Sequence, residues 1–172
     1  SGCHTHTQQS PALQQTTSVS FKLHTGAQTG LQFTNKLTPN AQFNMFNYMY
    51  FYNGAGVGVA DFNADGLPDV FLASNQGGNA LYLNQGGLRF TDVTTAAQIP
   101  NDGGWHTGVS VVDINNDSLP DIYGCRVAGY EALQGANQLL VCQGLRNGVP
   151  WYKEEAAAYG LNFAGFSTQA AF

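Results

Sequence analysis

Charged residues are scarce in this sequence. Asp, Glu, Lys and Arg make up only 10% of its 172 residues, against roughly 25% in an average globular domain. Lys and Arg together number six, too few for the basic patch that a nucleic-acid-binding surface requires. No apolar run approaches the roughly 18 residues of a membrane-spanning helix. We therefore expect neither nucleic-acid binding nor a transmembrane segment.

Cysteine is also sparse, with residues only at positions 3, 125 and 142. No Cys-x-x-Cys or His-rich spacing accompanies them, which argues against a zinc site and against a disulfide framework. Cys125 and Cys142 fall on predicted neighbouring strands, but too far out of register for a disulfide bond. We expect both to be buried free thiols.

The N-terminal stretch is rich in Gln, Thr and Ser, and residues 1–30 are predicted to form a flexible polar tether. Its start, Ser1-Gly2-Cys3, resembles the end of a bacterial lipobox, in which small residues precede a lipidated cysteine. A long polar leash after the cysteine suits a lipid-anchored domain. Cys3 is therefore a candidate lipidation site, with an incidental free thiol as the alternative.

The acidic residues are concentrated, because six of the eight Asp lie in two short segments. The segment 61–69 places oxygen-bearing side chains at its positions 1, 3, 5 and 9, with Gly at position 6. Hard cations such as Ca²⁺ require this kind of alternation, and the backbone carbonyl of position 7 completes the ligand set. The pattern recurs at 113–121, so two structural Ca²⁺ ions are the expected cofactors. Their candidate ligands are Asp61, Asn63, Asp65, Leu67 (carbonyl), Asp69, Asp113, Asn115, Asp117, Leu119 (carbonyl) and Asp121.

Two alternatives to these calcium loops can be weighed. An EF-hand would carry Glu at position 12 between helices, but Leu72 and Gly124 stand there and the flanking segments are strand-like. An Asx-rich turn that binds no metal stays open for both loops. In the second loop Ser118 replaces the glycine, and holding it at positive φ would cost about 1 kcal/mol. We therefore predict weaker ion binding at the second loop.

The two loops belong to a longer repeat, with 52 residues separating Asp61 from Asp113. Each copy contains four short apolar or alternating segments, and this period is typical of propeller blades. We predict an all-β fold of four-stranded antiparallel blades of a β-propeller. Blade 1 is expected at about 55–100, blade 2 at about 105–160 and the start of blade 3 at about 163–172. Because a ring needs about four to eight blades, we interpret the chain as an N-terminal piece of a longer protein, with a partner covering the open faces as the alternative.

The motif Asp-x-Asn-x-Asp-Gly-Leu-Pro-Asp and the run Leu-Tyr-Leu-Asn-Gln-Gly at 81–86 resemble the FG-GAP/VCBS repeat family. The resemblance covers about residues 31–172. That family includes integrin-type Ca²⁺-binding propellers and bacterial surface proteins that carry an ASPIC/UnbV module. It implies a binding scaffold, not an enzyme, although it leaves the activity of a longer parent chain undecided.

Antiparallel blades place the Asp loops at one end and the other connections at the opposite end. There the sequence collects aromatic and polar residues, and the connection before Asn137 is longer than the one before Asn79. Insertions at one face often mark a binding surface, although aromatics between blades are more often core. The candidate ligand-binding residues are Tyr50, Tyr52, Trp105, His106, Arg126, Tyr130 and Glu131.

These patterns predict a calcium-stabilised interaction module of a bacterial surface protein, lipid-anchored at the outer face of the outer membrane or secreted. The expected partner is another protein, as for an accessory subunit of an outer-membrane complex. The alternatives are a glycan-binding protein in nutrient capture and the non-catalytic part of a larger carbohydrate-active enzyme. No nucleophile pattern or paired catalytic carboxylates accompany His106, so no catalytic residue is predicted.

Overall fold

The structure, a computed structural model, describes residues 20–130 and 133–172. It confirms the all-β fold class: two four-stranded antiparallel sheets, with strands in sequence order, and a single helical turn. Over these residues the two sheets do not close into a ring. The elements are α1 (Gly26–Thr29), β1 (Val57–Ala60), β2 (Asp69–Leu72), β3 (Ala80–Asn84), β4 (Phe90–Asp92), β5 (Trp105–Val112), β6 (Asp121–Val127), β7 (Gln138–Arg146) and β8 (Val149–Glu154).

Each sheet is one predicted repeat, with the first strands β1 and β5 in contact. The first Asp loop joins β1 to β2, and the second joins β5 to β6. A core of buried apolar side chains fills the space between the sheets, with Phe62, Phe71 and Leu81 from the first and Ile122 and Leu140 from the second. Strands that are apolar on both faces are expected where both faces are covered.

The second sheet extends further than predicted. Strand β5 begins at Trp105 and not at Val109, because Trp105 pairs with Val127 and His106 pairs with Arg126 beyond a bulge at Thr107. This extension turns residues that we expected in connecting loops into paired strand residues. It lies at the end of the sheet opposite the Asp loop.

The last residues of the segment 1–30, which we predicted as a flexible polar tether, have a defined conformation. Gly26–Thr29 form one helical turn, in which the Gln28 side chain accepts a hydrogen bond of 2.9 Å from the Thr25 N–H. Gly30 has a φ of 84° and lies against the backbone of Phe90, where a Cβ atom would clash. This segment therefore packs on the outer strand of the first sheet. Cys3 lies outside the described residues.

Residues 163–166 lie beside the end of β6 and the following residues run beside β5, although the segment predicted to begin a third blade forms no strand. The Thr107 hydroxyl donates to the Ser167 carbonyl over 2.6 Å, and the Ser110 hydroxyl donates to the Ala170 carbonyl over 2.5 Å. Side-chain contacts therefore hold residues 167–170 on β5, whereas backbone hydrogen bonds such as that from the Ala128 N–H to the Gly165 carbonyl hold the preceding residues beside the end of β6.

Two further predictions concern cysteines and membrane spans. Cys125 and Cys142 are buried free thiols, as predicted, and burial raises the pKa of both. Across the part of the chain that the structure describes, no helix has the length and apolarity needed to cross a bilayer.

Candidate functional site

Hydrogen bonds from its backbone N–H groups to its own side chains hold the first Asp loop in its conformation. Asp61 accepts hydrogen bonds from the backbone N–H groups of Asp65, over 3.0 Å, and Gly66, over 2.7 Å. Asp65 in turn accepts from the N–H of Leu67 over 2.9 Å. The second loop repeats these contacts with nearly the same distances. The two segments therefore adopt one loop conformation, as the shared motif implies.

Asp69, the last residue of the motif, is fully buried. One of its carboxylate oxygens accepts from the N–H of Phe62 over 2.8 Å, and the other accepts from the N–H of Asn84 over 2.7 Å. The carboxylate thus joins the loop to the third strand of its sheet. Asp121 does the same in the second sheet. Burial raises the pKa of both carboxyls, although these N–H bonds oppose the shift.

The loops can be tested for their fit to a cation. The Asn63 Oδ1 atom is buried and has no hydrogen-bond partner, the single such side-chain atom recorded among the described residues. A buried amide oxygen without a donor has a lone pair available to a cation or a water, and each carboxylate oxygen keeps a second lone pair. These groups fit Ca²⁺, which prefers such oxygens.

Two observations limit that fit. The equivalent Asn115 Oδ1 accepts from the N–H of Asp117 over 3.1 Å, so the second loop has no orphaned oxygen there. Within residues 20–130 and 133–172, no three His, Cys, Asp or Glu side chains form a group that could hold a metal by themselves. A cation would therefore rely on neutral oxygens, such as those of Asn63 and the Leu67 carbonyl, as well as on carboxylates.

At the opposite end of the blades, the structure divides the candidate ligand-binding residues. Tyr50 and Tyr52 are exposed, whereas Trp105 is only 2% exposed. Trp105 belongs to an aromatic cluster, with ring centroids 4.8 Å from Phe43 and 5.3 Å from Phe51. It is therefore a core residue and not a surface contact. Tyr130 is half-buried, and Glu131 lies outside the described residues.

His106 and Arg126 are buried as well, in a polar network with Asp102. The Arg126 guanidinium forms an ion pair with Asp102 and donates from Nε to the His106 Nε2 over 3.1 Å. Burial and then the charge of Arg126 lower the pKa of His106 to about 4. Burial alone would raise the pKa of Asp102, but the hydrogen bond and charge of Arg126 outweigh it and lower that pKa.

These contacts assign the His106 tautomer. Its Nδ1 lies 3.2 Å from the Ser74 carbonyl and 3.1 Å from the Gly104 carbonyl, so Nδ1 carries the proton. Nε2 then accepts from Arg126 and from the Asn79 amide, and the Gln138 Oε1 that lies 3.3 Å from it receives no proton from this tautomer. A neutral imidazole fixed on all sides holds the two sheets together and has no free nitrogen for acid–base chemistry.

The network crosses from one sheet to the other. The Asn75 amide donates to the His106 carbonyl over 2.7 Å, and the His106 N–H donates to the Ser74 carbonyl over 3.2 Å. A repeated contact that we did not predict supports it: Asn79 accepts from the N–H of Ser74, and Asn137 accepts from the N–H of Arg126. Asn79 and Asn137 directly precede β3 and β7 and occupy matching positions in the two repeats, and this match could have predicted the contact.

A half-open cavity of about 510 Å³ lies at the same end of the blades, beside the first residues of the inner strands. Its walls are mostly apolar and include no charged side chain, and Tyr50 is the member of the predicted set that it contains. The lining residues are Tyr48, Tyr50, Asn53, Gly54, Thr107, Val127, Phe166 and Thr168.

Comparison with known families gives one match. Residues 61–124 match the family model described as FG-GAP-like repeat. The matched segment begins at the first residue of the first Asp loop, passes through both sheets and ends in β6, beyond the second loop. A search of curated proteins found no significant match.

Proposed function

We propose that this chain is a calcium-stabilised, β-propeller-type interaction module whose partner binds at the end opposite the Asp loops. The observation that carries the proposal is the FG-GAP-like repeat at 61–124, which includes both loops. Such a repeat suggests a propeller-like interaction module, and domains of this kind are generally non-catalytic. A structural role for the ion agrees with the position of the loops at the β1–β2 and β5–β6 turns.

The physical argument for calcium is electrostatic. Each loop carries three carboxylates in one short segment. Burial and then the charges of the first two raise the pKa of the third, so their repulsion opposes the folded conformation when no cation is bound. A Ca²⁺ ion converts that repulsion into attraction and supplies a partner for the buried Asn63 Oδ1. The ion would then stiffen the turn that joins the first two strands of each sheet.

Thermal unfolding tests the calcium proposal. We expect excess Ca²⁺ to raise the Tm above its value in chelator, because an ion that binds only the folded state stabilises it. The double variant Asp61→Asn, Asp113→Asn should lose most of this rise, whereas the control Asp92→Asn, outside the loops, should retain it. An identical Tm in calcium and in chelator would refute calcium stabilisation.

The proposed partner surface consists of Tyr50, Tyr52 and the neighbouring cavity. Exposed aromatic side chains beside a cavity are typical of binding surfaces, and we propose a protein partner such as an outer-membrane complex. Copurification of the native protein with that complex should weaken in Tyr50→Ala and Tyr52→Ala. Tyr159→Ala, which removes another exposed tyrosine, is the matched control. Equal recovery of all three variants would remove these residues from the interface.

The cavity also favours a second candidate, a neutral glycan. Its aromatic walls offer apolar faces for sugar rings, and its uncharged lining does not suit a charged ligand. Binding on a glycan array that disappears in Tyr50→Ala would assign the surface to a glycan. Absence of binding across the array would leave the protein partner as the proposal.

Our proposal for location is the outer face of the bacterial outer membrane, through acylation of Cys3, or secretion. Its support is the Ser1-Gly2-Cys3 sequence followed by a polar stretch. Mass spectrometry of the native N-terminal peptide should show acyl chains on Cys3. An unmodified peptide would refute the anchor.

A further inference from the structure

A second, polar pocket of about 350 Å³ lies at the end of the second sheet opposite its Asp loop. Arg126 lines this pocket, whereas Val127 lines the cavity that contains Tyr50. Because successive side chains of a strand point to opposite faces of its sheet, the pocket and the cavity lie on opposite sides of β6. The polar side chains that line the pocket are Asp102, Arg126, Asn137, Gln138, Glu154 and Asn162.

The first sheet has a pocket at the matching position, where Asp92 occupies the place of Glu154. Each of these two acidic residues pairs with the third residue of the preceding strand. Ser74 occupies the place of Arg126, because the N–H groups of both residues donate to the matched Asn side chains before β3 and β7. No described basic side chain lines the pocket of the first sheet. The pocket is therefore a feature of the repeat, and the guanidinium is specific to the second sheet.

Arg126 brings hydrogen-bond donors to the wall of this pocket. The residue is only 3% exposed, and Gly104 packs so closely on the guanidinium that a Cβ atom there would lie 2.5 Å from Cζ. A guanidinium has five N–H groups, of which three donate to His106 and Asp102. The other two have no acceptor among the described residues. Because a buried donor without an acceptor destabilises the folded state, these groups favour an acceptor that enters the pocket.

Glu154 provides an acceptor at the same pocket. Its Oε1 accepts from the N–H of Leu139 over 3.1 Å and from the N–H of Ala156 over 3.0 Å. Its Oε2 accepts from no residue that the structure describes, so it is available to a hydroxyl group. The exposed amide of Asn162 adds one further donor group and one further acceptor.

These groups favour a ligand that is neutral and rich in hydroxyls. Asp102 already balances the charge of Arg126, and Glu154 adds a negative charge, so an anion would be repelled. An ammonium group could not accept from Arg126, and an apolar ligand would leave buried polar groups unpaired. Neighbouring hydroxyls of a sugar each donate and accept. The volume is at the lower end of the range for small-molecule pockets, which suits a single sugar ring.

We propose that this pocket binds one neutral sugar residue, whose hydroxyls accept from Arg126 and donate to Glu154 and Asn162. Asp102 and His106 are positioning residues, because they hold the guanidinium at the pocket wall. The site goes beyond the proposed function, since its residues and its face of the sheet differ from those of the tyrosine surface. It also involves neither Asp loop.

Saturation-transfer difference NMR with glucose, galactose and mannose tests the proposal on the native protein. At least one of these hexoses should receive saturation from the wild type. Glu154→Gln should reduce the transfer several-fold, because Gln keeps one oxygen for the two backbone N–H groups but presents NH2 in place of Oε2. Asp92→Asn, the matched change in the first sheet, should leave the transfer unchanged. Absence of transfer to all three hexoses, or equal transfer in Glu154→Gln and the wild type, would overturn the proposal.

Two further measurements separate this site from the others. Asn162→Ala changes an exposed side chain and should also weaken the transfer several-fold at an unchanged Tm. Glucuronate should receive less saturation than glucose, because Glu154 repels its carboxylate; equal transfer would contradict the charge argument. Transfer that is lost in Tyr50→Ala but kept in Glu154→Gln would place the sugar in the other cavity and overturn this site. The calcium-dependent Tm and the copurification experiment are independent of all these outcomes.

Discussion

The two sheets share a topology but differ in the lengths of their strands. Strands of the first sheet have three to five residues, and strands of the second have six to nine. The two Asp loops share the bonds to Asp61 and Asp113 and differ in the bond from the Asp117 N–H to the Asn115 Oδ1, which the first loop lacks. The second sheet gains length at both ends: β5 and β6 extend at the end opposite the Asp loop, where His106 pairs with Arg126, and β7 and β8 extend at the Asp-loop end, where Leu145 pairs with Pro150. The two sheets therefore share the contacts within their Asp loops and differ in the lengths of the strands on either side.

The loops themselves distribute backbone strain differently. The first loop has Ala64 at φ 58° and Gly66 at φ 85°, whereas the second has Asn116 at φ 60° and Ser118 at φ 70°. Asn tolerates this left-handed region better than Ala, and Gly better than Ser. Each loop therefore contains one favourable and one unfavourable residue. The predicted weakness of the second loop, argued from Ser118 alone, is partly offset by Ala64 in the first.

The largest expected effect concerns the buried Asp at the end of each Asp loop. Asp69→Ala removes the acceptor of two buried N–H groups, those of Phe62 and Asn84. Because each unsatisfied buried donor costs about 1–3 kcal/mol, we expect a loss of about 3–5 kcal/mol. Asp121→Ala should cost slightly less, since one of its donors is only partly buried. Urea unfolding in chelator measures both values without a contribution from calcium.

Two controls sharpen this comparison. Asp69→Asn keeps one acceptor but turns its NH2 group toward the other buried N–H, so its loss in chelator should lie between those of the wild type and Asp69→Ala. Asp92→Asn removes an exposed charge outside the loops, keeps the oxygen that accepts from the Thr94 N–H, and should change the free energy of unfolding little. If Asp121→Ala had no effect while Asp69→Ala destabilised the protein, the buried carboxylates would not stabilise the two loops in the same way.

The second prediction concerns the end opposite the Asp loops and its pH dependence. The folded pKa of His106 is about 4, below the ordinary value of 6.5. Between these values the unfolded chain binds a proton that the folded protein does not, so stability falls as the pH falls from about 6.5 to 4. The loss attributable to His106 approaches about 3 kcal/mol and is complete below the folded pKa. Urea unfolding at a series of pH values measures it.

His106→Gln isolates this contribution from the carboxyl groups that titrate in the same range. Gln retains a donor and an acceptor but cannot take up the proton, so the variant should lose stability less steeply between pH 6.5 and 4. His24→Gln removes an exposed histidine outside the network and is the matched control. Parallel curves for the wild type and His106→Gln would show that His106 does not contribute to the acid sensitivity.

How far the sequence predicted this structure depends on the range of the interactions. The fold class and the buried thiols followed from periodicity and composition, which are local signals. The burial of Trp105, His106 and Arg126 did not, because it depends on a bulge and on partners in the first sheet. The motif indicated Asp69 and Asp121 as ion ligands, and their bonds to a distant strand were not predicted. The metal sites and the ligand surface stay predictions.

The smallest expected effect concerns the individual residues at positive φ in the two Asp loops. Ser118→Gly and Ala64→Gly each relieve about 1–2 kcal/mol of left-handed strain, but glycine adds about 0.4–1 kcal/mol of unfolded-state entropy. We therefore expect a net stabilisation of about 0.5–1 kcal/mol for each variant, measured by urea unfolding in chelator. Asn116→Gly should change the stability less, because Asn already tolerates this region. Ala60→Gly, in β1, should be destabilising by about 0.5–1 kcal/mol, since glycine costs that much in a strand. If Ala64→Gly destabilised the protein as Ala60→Gly does, left-handed strain would not explain the difference between the loops.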